Sequence, residues 1–487
     1  MINPTLTKSL YVTGVFCPKL FWTKLNRPKS LPEAGIDAQA RMNEGQEVGK
    51  LATQLWPGGV SVEDWDKDIC VAKTNAARSV PPEERIPLYE AGFKATIEGT
   101  NCYARVDVLV PVGKDSWNLF EVKSGSSVKD EHKHDVAFQI KVLEANGINI
   151  HQSHIVHINS DYIRGEHIDV KEFLTIADMT DLIATELDDA EHFIPFLNEL
   201  AAKEQAPETI CEGPKDCDAC SKLLPPHSVF ELAGIRKKKA KAIWSTGHKL
   251  IENLPRETKL SRKQAIQSVA VMTNQPHIHR EPIKEFIETI TYPIYHLDFE
   301  TFNTGIPKYK GTKPYQQIVF QYSLHIEEPT GELKHVEFLA EPELDPRPAF
   351  LASLKAALSN TSGTILVFNA GFEVPRMKEL MRDFPEHEQW LTEAISKVKD
   401  LAEPFKSFAY YHPDQHGKYS IKSILPVLTP TSYDGLDIAG GGVASASFLA
   451  LENASETDAK DIRTALLAYC KQDTQSMIDV LKALKEL

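Results

Sequence analysis

The sequence predicts an α/β protein, built as two α/β units with a helical, basic segment between them. The expected boundaries are residues 1–222, 223–290 and 291–487. Two observations carry this reading. Short runs with a period of two alternate with stretches of helical period over residues 88–159, and again from residue 292 onward, which is the pattern of strands with helical crossovers. Between them, Pro225-Pro226 marks a break, and Arg236-Lys237-Lys238-Lys239-Ala240-Lys241 is the most basic run of the chain. A length of 487 residues agrees with roughly three such parts.

Composition narrows the class. Hydrophobic residues make up 42% and charged residues 25%, ordinary for a globular protein with sizeable cores. No run reaches the ~18 apolar residues of a membrane span. Pro18 interrupts the short apolar stretch near the start, so no signal peptide is expected and the cytoplasm is the expected location. A net charge of −14 excludes a protein that coats nucleic acid by bulk charge, while leaving room for a local grip.

The elements follow in order. Phe16-Cys17-Pro18-Lys19-Leu20-Phe21-Trp22 is an apolar cluster around one cysteine. Pro32 opens a helix towards Leu55, closed by Pro57-Gly58-Gly59. Residues 88–97, 102–110 and 117–122 read as three short strands. A helix over 130–145 stops at Asn146-Gly147, and residues 153–159 form a further strand. An acidic helix over 178–206 leads into a cysteine cluster. In the second half, residues 295–301 form a strand whose period of two puts Asp298 and Glu300 on one face. Residues 319–326 and 333–339 form a hairpin through Pro329-Thr330-Gly331. A strand over 364–368 and several helices complete the unit.

Three groups of residues carry chemistry. The first is Asp107 on one strand with Glu121 and Lys123 on the next, the last two sharing a face. Hydrolysis of a phosphodiester needs carboxylates to hold Mg²⁺ or Mn²⁺ and a cation to orient the attacking water. The plain alternative is a surface ion pair on neighbouring strands. This arrangement resembles the PD-(D/E)xK nuclease superfamily, with Asp107, Glu121 and Lys123 matching its core. Gln139, in Asp135-Val136-Ala137-Phe138-Gln139, resembles the glutamine-bearing helix of RecB-like members, and Glu90 is a further possible acid. RecB-like enzymes carry a metal-binding histidine on an early helix. Here the stretch Glu44-Gly45-Gln46-Glu47 has none, leaving Glu44 or Glu47 as substitutes.

The second group is Cys211, Cys217 and Cys220 with the distant Cys17. Seven cysteines with no secretory context argue against a disulfide scaffold, and four thiolates suit iron or Zn²⁺. Cys70, Cys102 and Cys470 read as isolated buried hydrophobes. One early cysteine, a RecB-like core and three late cysteines resemble the iron–sulfur nucleases, among them the CRISPR-associated four-iron exonucleases and the AddB nuclease domain. That resemblance covers about residues 1–222. It implies a structural 4Fe-4S cluster, with Zn²⁺ as the alternative.

The third group is Asp298 and Glu300, Glu373 in Val367-Phe368-Asn369-Ala370-Gly371-Phe372-Glu373, and Tyr469 with Asp473, one helical turn apart. Four carboxylates from three segments can hold two Mg²⁺ ions about 4 Å apart. The order resembles the DEDD (DnaQ-like, RNase H-like) 3′→5′ exonucleases of the tyrosine subtype, in which Tyr469 would orient the water. Glu373 stands where that family has Asp, and Asp400 is the reserve for this ligand. Residues 292–487 as a whole resemble an uncharacterised bacterial family that fuses such a domain behind an iron–sulfur nuclease.

In the middle, Leu232-Ala233-Gly234-Ile235 ahead of the basic run loosely resembles a helix–hairpin–helix element. Lys237, Lys238 and Lys239 would there hold phosphates without reading bases. A solvated helix face is the equal alternative. The expectation is a metal-dependent nuclease acting on nucleic acid, DNA in the first instance, single-stranded or with free ends, in repair or defence against foreign DNA. An RNA-processing exonuclease and a non-catalytic nucleic-acid-binding or regulatory protein on decayed nuclease folds remain open. No membrane partner is expected.

Overall fold

The computed structural model describes residues 4–208, 210–211, 213–359 and 361–487. The chain is mixed α/β and divides into two compact units. The first comprises Met1–Ala34, Ala38–Leu224 and Thr304–Gln316; the second comprises Gly35–Asp37, Pro225–Asn303 and Gln317–Leu487. The basic segment expected to stand between two units thus falls within the second. No helix among the described residues is long and apolar enough to cross a membrane.

In the first unit the described residues form a seven-stranded sheet in the order Val60–Ser61, Leu88–Ile97, Thr100–Val112, Ser116–Lys123, Asn149–Ile158 and Leu174–Asp178. Leu6–Thr7 adds a short parallel strand beside Cys102 and Tyr103. Both faces are covered. Leu119 packs towards helices Asp130–Ala145 and Ala184–Ala201, whereas its neighbour Phe120 packs with Val48 and Ala52 of helix Ile36–Ala52. That double burial explains the apolar run Leu119-Phe120 and Val122 at the centre of Ser116–Lys123, among which the charged Glu121 stands out. Helix Asp130–Ala145 ends at Asn146-Gly147 with Gly147 at φ 70, as its stop signal requires. The helix expected from Pro32 begins only at Ile36.

Ahead of the sheet, Lys8–Phe16 and Pro18–Asn26 form two helices joined at Cys17. The Thr7 hydroxyl caps the first by accepting from the Leu10 N–H. Gly14 lets this helix close on the Ala184–Ala201 helix, since a Cβ there would stand 2.5 Å from Leu197 Cδ2.

The second unit carries a five-stranded sheet in the order Leu333–Leu339, Ile318–Glu327, Ile294–Phe302, Thr364–Val367 and Val398–Asp400. The first three strands run antiparallel to their neighbours, and the last two continue parallel to Ile294–Phe302. Leu297 and Phe299 pack with Phe350, Leu351 and Met377 on one face. The opposite face holds Asp298 and Glu300 and meets the long helix Glu456–Lys485, tied on by Gln321 Nε2 to the Leu466 carbonyl (2.8 Å) and by Ser323 Oγ to Thr474 Oγ1 (2.7 Å).

The middle segment holds helices Lys237–Ser245, Arg262–Thr273 and Arg280–Glu288. Ahead of Gly234 lies only the 3-10 turn Val229–Glu231, where a helix–hairpin–helix element would need a helix.

Candidate metal centres

The acid cluster of the second unit is assembled by three elements. Strand Ile294–Phe302 supplies Asp298 and Glu300. Asn369, at φ 78, turns the chain from strand Thr364–Val367 straight into helix Ala370–Asp383, so Glu373 lands in the first helical turn. Helix Glu456–Lys485 supplies Tyr469 and Asp473, both buried. One oxygen from each of Asp298, Glu300 and Asp473 lies within 4.8 Å of the others. Glu373 Oε2 is buried with no hydrogen-bond partner.

The electrostatics of this cluster are those of carboxyls crowded together in a buried place. Burial first, then the charges of Asp473, Glu300 and Glu373, hold Asp298 well above the usual carboxylate range. Burial and Asp473 push Glu300 up to about 8, and Glu373 is pushed to about 8 chiefly by burial. Asp473 rises only to about 6, because burial is opposed by a hydrogen bond from Tyr433, the charge of Lys422 and a hydrogen bond from Tyr469. Tyr433 Oη donates to Asp473 Oδ1 at 2.6 Å. The donor set fits divalent cations: hard oxygens, drawn together, that a +2 charge would return to the ionised form.

Three neighbours here carried no functional reading in the sequence. The Cys470 thiol, expected to be a plain buried hydrophobe, lies 3.6 Å from Asp298 Oδ2. Lys422 Nζ donates to Tyr469 Oη at 3.0 Å and sits 4.8 Å from its ring centroid. Tyr433 is the third. Lys422 and Tyr433 have no spacing that ties them to the acids, whereas Cys470 stands three residues before Asp473 on the long helix. Asp400, the reserve ligand, is engaged elsewhere: it accepts the N–H groups of Asn369 and Ala402 and pairs with Lys406 at 2.8 Å.

In the first unit Asp107, Glu121 and Lys123 do come together. Lys123 Nζ reaches Glu121 Oε1 (2.7 Å) and Asp135 Oδ2 (2.5 Å), and Gln139 Nε2 donates to Glu121 Oε2 (2.8 Å) and Asp135 Oδ1 (3.1 Å). Asp107 Oδ2 accepts the Val122 N–H at 2.8 Å. A residue absent from the sequence reading completes the cluster. Lys8 Nζ bonds Glu121 Oε1 and Oε2 (2.8 and 3.0 Å) and Asp107 Oδ1 (3.2 Å). Burial would raise Glu121, but Lys123 and Lys8 outweigh it and hold its carboxyl far below the usual range. Burial and the Glu121 charge lift Asp107 to about 6. Glu90 sits at φ 58 between Tyr89 and Ala91, which pair with Val108 and Val106, and its carboxylate pairs with Arg105 at 2.8 Å. Burial and Asp107 push it to about 7. Glu44, proposed in place of a histidine ligand, accepts the backbone N–H of Gly305.

The cysteines also meet. Sulfur atoms of Cys17, Cys217 and Cys220 lie within 4.8 Å of one another, with Cys17 and Cys217 3.6 Å apart, and half-buried Cys211 packs against them. All are free thiols. Burial and the neighbouring thiols push Cys220 up to about 12, and Cys17 higher still. Three convergent, unbridged sulfurs with a fourth cysteine beside them fit a soft cation or an iron–sulfur cluster. Lys237, Lys238 and Lys239 lie exposed on their helix, and Lys239 Nζ donates to the Lys259 carbonyl at 3.2 Å.

The chain is therefore a mixed α/β protein with two acid clusters and one thiol cluster, each gathered from distant segments. Residues 295–420 match the family described as "Domain of unknown function (DUF2779)". Two curated relatives are similar over part of the chain. "Uncharacterized protein UU173" of Ureaplasma parvum serovar 3 is 24% identical over 238 residues, 44% of this chain and 34% of that protein. "Uncharacterized protein MG366 homolog" of Mycoplasma pneumoniae is 25% identical over 213 residues, 39% of this chain and 32% of that protein. The matched region thus spans about a third of each relative's length. A solved structure described as "Crystal structure of SSO0001" aligns with 46% of this chain and 87% of its own at 14% identity, and its TM-score of 0.20 carries no weight.

Proposed function

We propose that the chain is a metal-dependent nuclease hydrolysing phosphodiester bonds in nucleic acid, DNA in the first instance. In this reading the first unit is a RecB-like PD-(D/E)xK domain held by a Cys17–Cys211–Cys217–Cys220 iron–sulfur cluster. The second is a DEDD exonuclease-type domain. The observation that carries it is the second acid cluster: Asp298, Glu300 and Asp473 present oxygens within 4.8 Å of one another, and the buried carboxylate of Glu373 adds its charge to theirs.

A divalent ion held by these carboxylates would polarise the phosphoryl group and make bound water a nucleophile at neutral pH. The protein's own residues do the positioning. Burial and the surrounding acids keep the Tyr469 phenol protonated. Its oxygen accepts from Lys422 and its proton goes to Asp473, so the phenol holds that carboxylate in place beside the site. Tyr433 fixes Asp473 from the other side, and the Cys470 thiol holds one oxygen of Asp298. The ammonium of Lys123 draws a phosphate towards Asp107 and Glu121. Lys237, Lys238 and Lys239 add non-specific phosphate contacts, which makes binding weaken as salt rises.

The test is digestion of labelled single-stranded DNA and RNA in Mg²⁺ or Mn²⁺ by the parent, Asp107→Ala, Asp298→Ala and the double variant. Loss of cleavage in the double variant is expected; full cleavage by it would refute the reading. One observation favours a narrower alternative. Lys8 already neutralises Asp107 and Glu121, as expected of a first site that binds nucleic acid without cutting it. Undiminished cleavage by Asp107→Ala alone would select that alternative.

A further inference from the structure

We propose that His227, Glu231 and His416, all in the second unit, form a third metal site that takes one divalent ion of the zinc type. It is separate from both acid clusters and from the cysteines, and it does not depend on the nuclease reading. One ligand atom from each residue lies within 4.8 Å of the others. Glu231 Oε2 is the hub: it lies 2.9 Å from His416 Nδ1 and accepts the His227 backbone N–H at 3.0 Å. The two imidazole rings stack at 5.1 Å and 19°.

Several features go beyond an ion pair. His227 Nδ1 is buried with no hydrogen-bond partner, although the ring sits beside a carboxylate. Both histidines occupy the left-handed backbone region, His227 at φ 57 and His416 at φ 51. A non-glycine residue there is uncommon, and two in one cluster signal a constellation that the surrounding structure enforces. The enforcement is visible. Gly417, at φ 72, lies so close to Glu231 that a Cβ would stand 2.1 Å from its carbonyl oxygen. That carbonyl accepts from Gln267 Nε2 at 2.9 Å, and Gln267 Oε1 accepts the Ala233 N–H at 2.8 Å. Gln267 thus fixes the turn carrying Glu231, and the Gly417 backbone, next to His416, packs directly against it.

The donor set decides the ion. Two imidazole nitrogens and one carboxylate oxygen suit zinc and its late first-row neighbours rather than Mg²⁺ or Ca²⁺, which favour oxygen alone. Three protein ligands leave a fourth position for water, and the His416 side chain, 39% exposed, opens that position to solvent. The ion takes the place of the hydrogen bond between His416 Nδ1 and Glu231 Oε2, and a ring nitrogen of His227 supplies the third ligand.

The test uses the full chain, free of any histidine tag, stripped with chelator and titrated with Zn²⁺. The parent is expected to bind one more equivalent than His227→Ala, Glu231→Gln or His416→Ala. Loss of any one ligand should weaken this site by roughly 100-fold, the upper end of what removing even a ligand's supporting hydrogen bond costs. The cysteine and acid clusters take the same zinc in parent and variants, so the difference reports this site alone. Circular dichroism of the metal-free variants checks their folding. Should they fail to fold, the parent is read directly: Zn²⁺ is expected to protect His227 and His416 together from diethylpyrocarbonate, mapped by peptide mass spectrometry. Equal zinc stoichiometry in folded variants, or no protection in the parent, overturns the proposal.

Discussion

Lys8 Nζ lies 2.8 Å from Glu121 Oε1 and 3.2 Å from Asp107 Oδ1, so a lysine from the first helix sits between the two carboxylates that a metal would share. Its partners are 113 and 99 residues away. The ammonium supplies in the protein itself the positive charge that buried acids require.

Replacing Lys8 by Met should therefore expose the repulsion between Asp107 and Glu121. Breaking a buried pair by removing one partner typically costs about 3–5 kcal/mol. Lys8→Met is expected to lose stability of that order in chelator and to recover most of it in Mn²⁺, read by urea unfolding with and without the ion. An equal loss under both conditions would show that Lys8 and a cation do not share one position.

The second cluster predicts a pH dependence of opposite sign to that of salt-bridged acids. Glu300 and Glu373 are raised from the ordinary 4.5 to about 8, so the folded chain keeps protons that the unfolded chain has released. Stability must then fall as pH rises from about 4.5 to about 8, and level off above that. Thermal melts in chelator should show this decline, and Mn²⁺ should flatten it. Glu300→Gln, which cannot ionise, should gain on the order of a few kcal/mol at pH 8 without metal. A melt that rises over the same window would contradict the electrostatics.

How much of this was legible follows from where the information lies. Asp298 with Glu300, and Glu121 with Lys123, share a strand face, and Tyr469 with Asp473 share a helix turn; a local period reports such pairs. The strands and the helix over 130–145 were readable for the same reason, with turn residues at their ends. Lys8, Tyr433 and Lys422 are set by contacts between distant segments, which no local period records. Cys470 was read as apolar because a buried thiol usually is, and its carboxylate neighbour comes from another element. His227 and His416 were passed over because φ is invisible in a residue name, and because 189 positions separate them (416 − 227).

Tyr469 offers a cleaner test of positioning than the acids do. Its hydroxyl accepts from Lys422 and donates to Asp473. Tyr469→Phe keeps the ring under the Lys422 ammonium and removes the hydroxyl with both of its hydrogen bonds. If it orients the water, kcat on single-stranded DNA should drop about 100-fold with KM little changed, in the range of a lost proton-transfer or orienting group. Lys422→Met should lower kcat less, since Tyr469 keeps its donor. A change in KM alone would assign Tyr469 to binding.

The cysteine cluster gives the remaining prediction, and here packing and chemistry can be separated. Cys17 caps helix Pro18–Asn26, its sulfur accepting the Leu20 N–H at 3.4 Å, so its side chain has a structural task without any metal. Cys211 is half-buried at the rim, and no such bond to its sulfur accompanies it among the described residues. Cys17→Ser keeps an acceptor for the helix cap but weakens soft-metal ligation; Cys211→Ser removes a thiolate with little effect on packing. If the four sulfurs hold a cluster, anaerobically purified parent should be brown and contain iron and sulfide. Both variants should then lose colour and melt at lower temperature, because binding energy of such a site is folding energy. If zinc is bound instead, the parent is colourless, and zinc is lost in the same two variants. Should Cys211→Ser keep the parent's metal content and melting temperature, Cys211 is no ligand and the four-sulfur site is overturned.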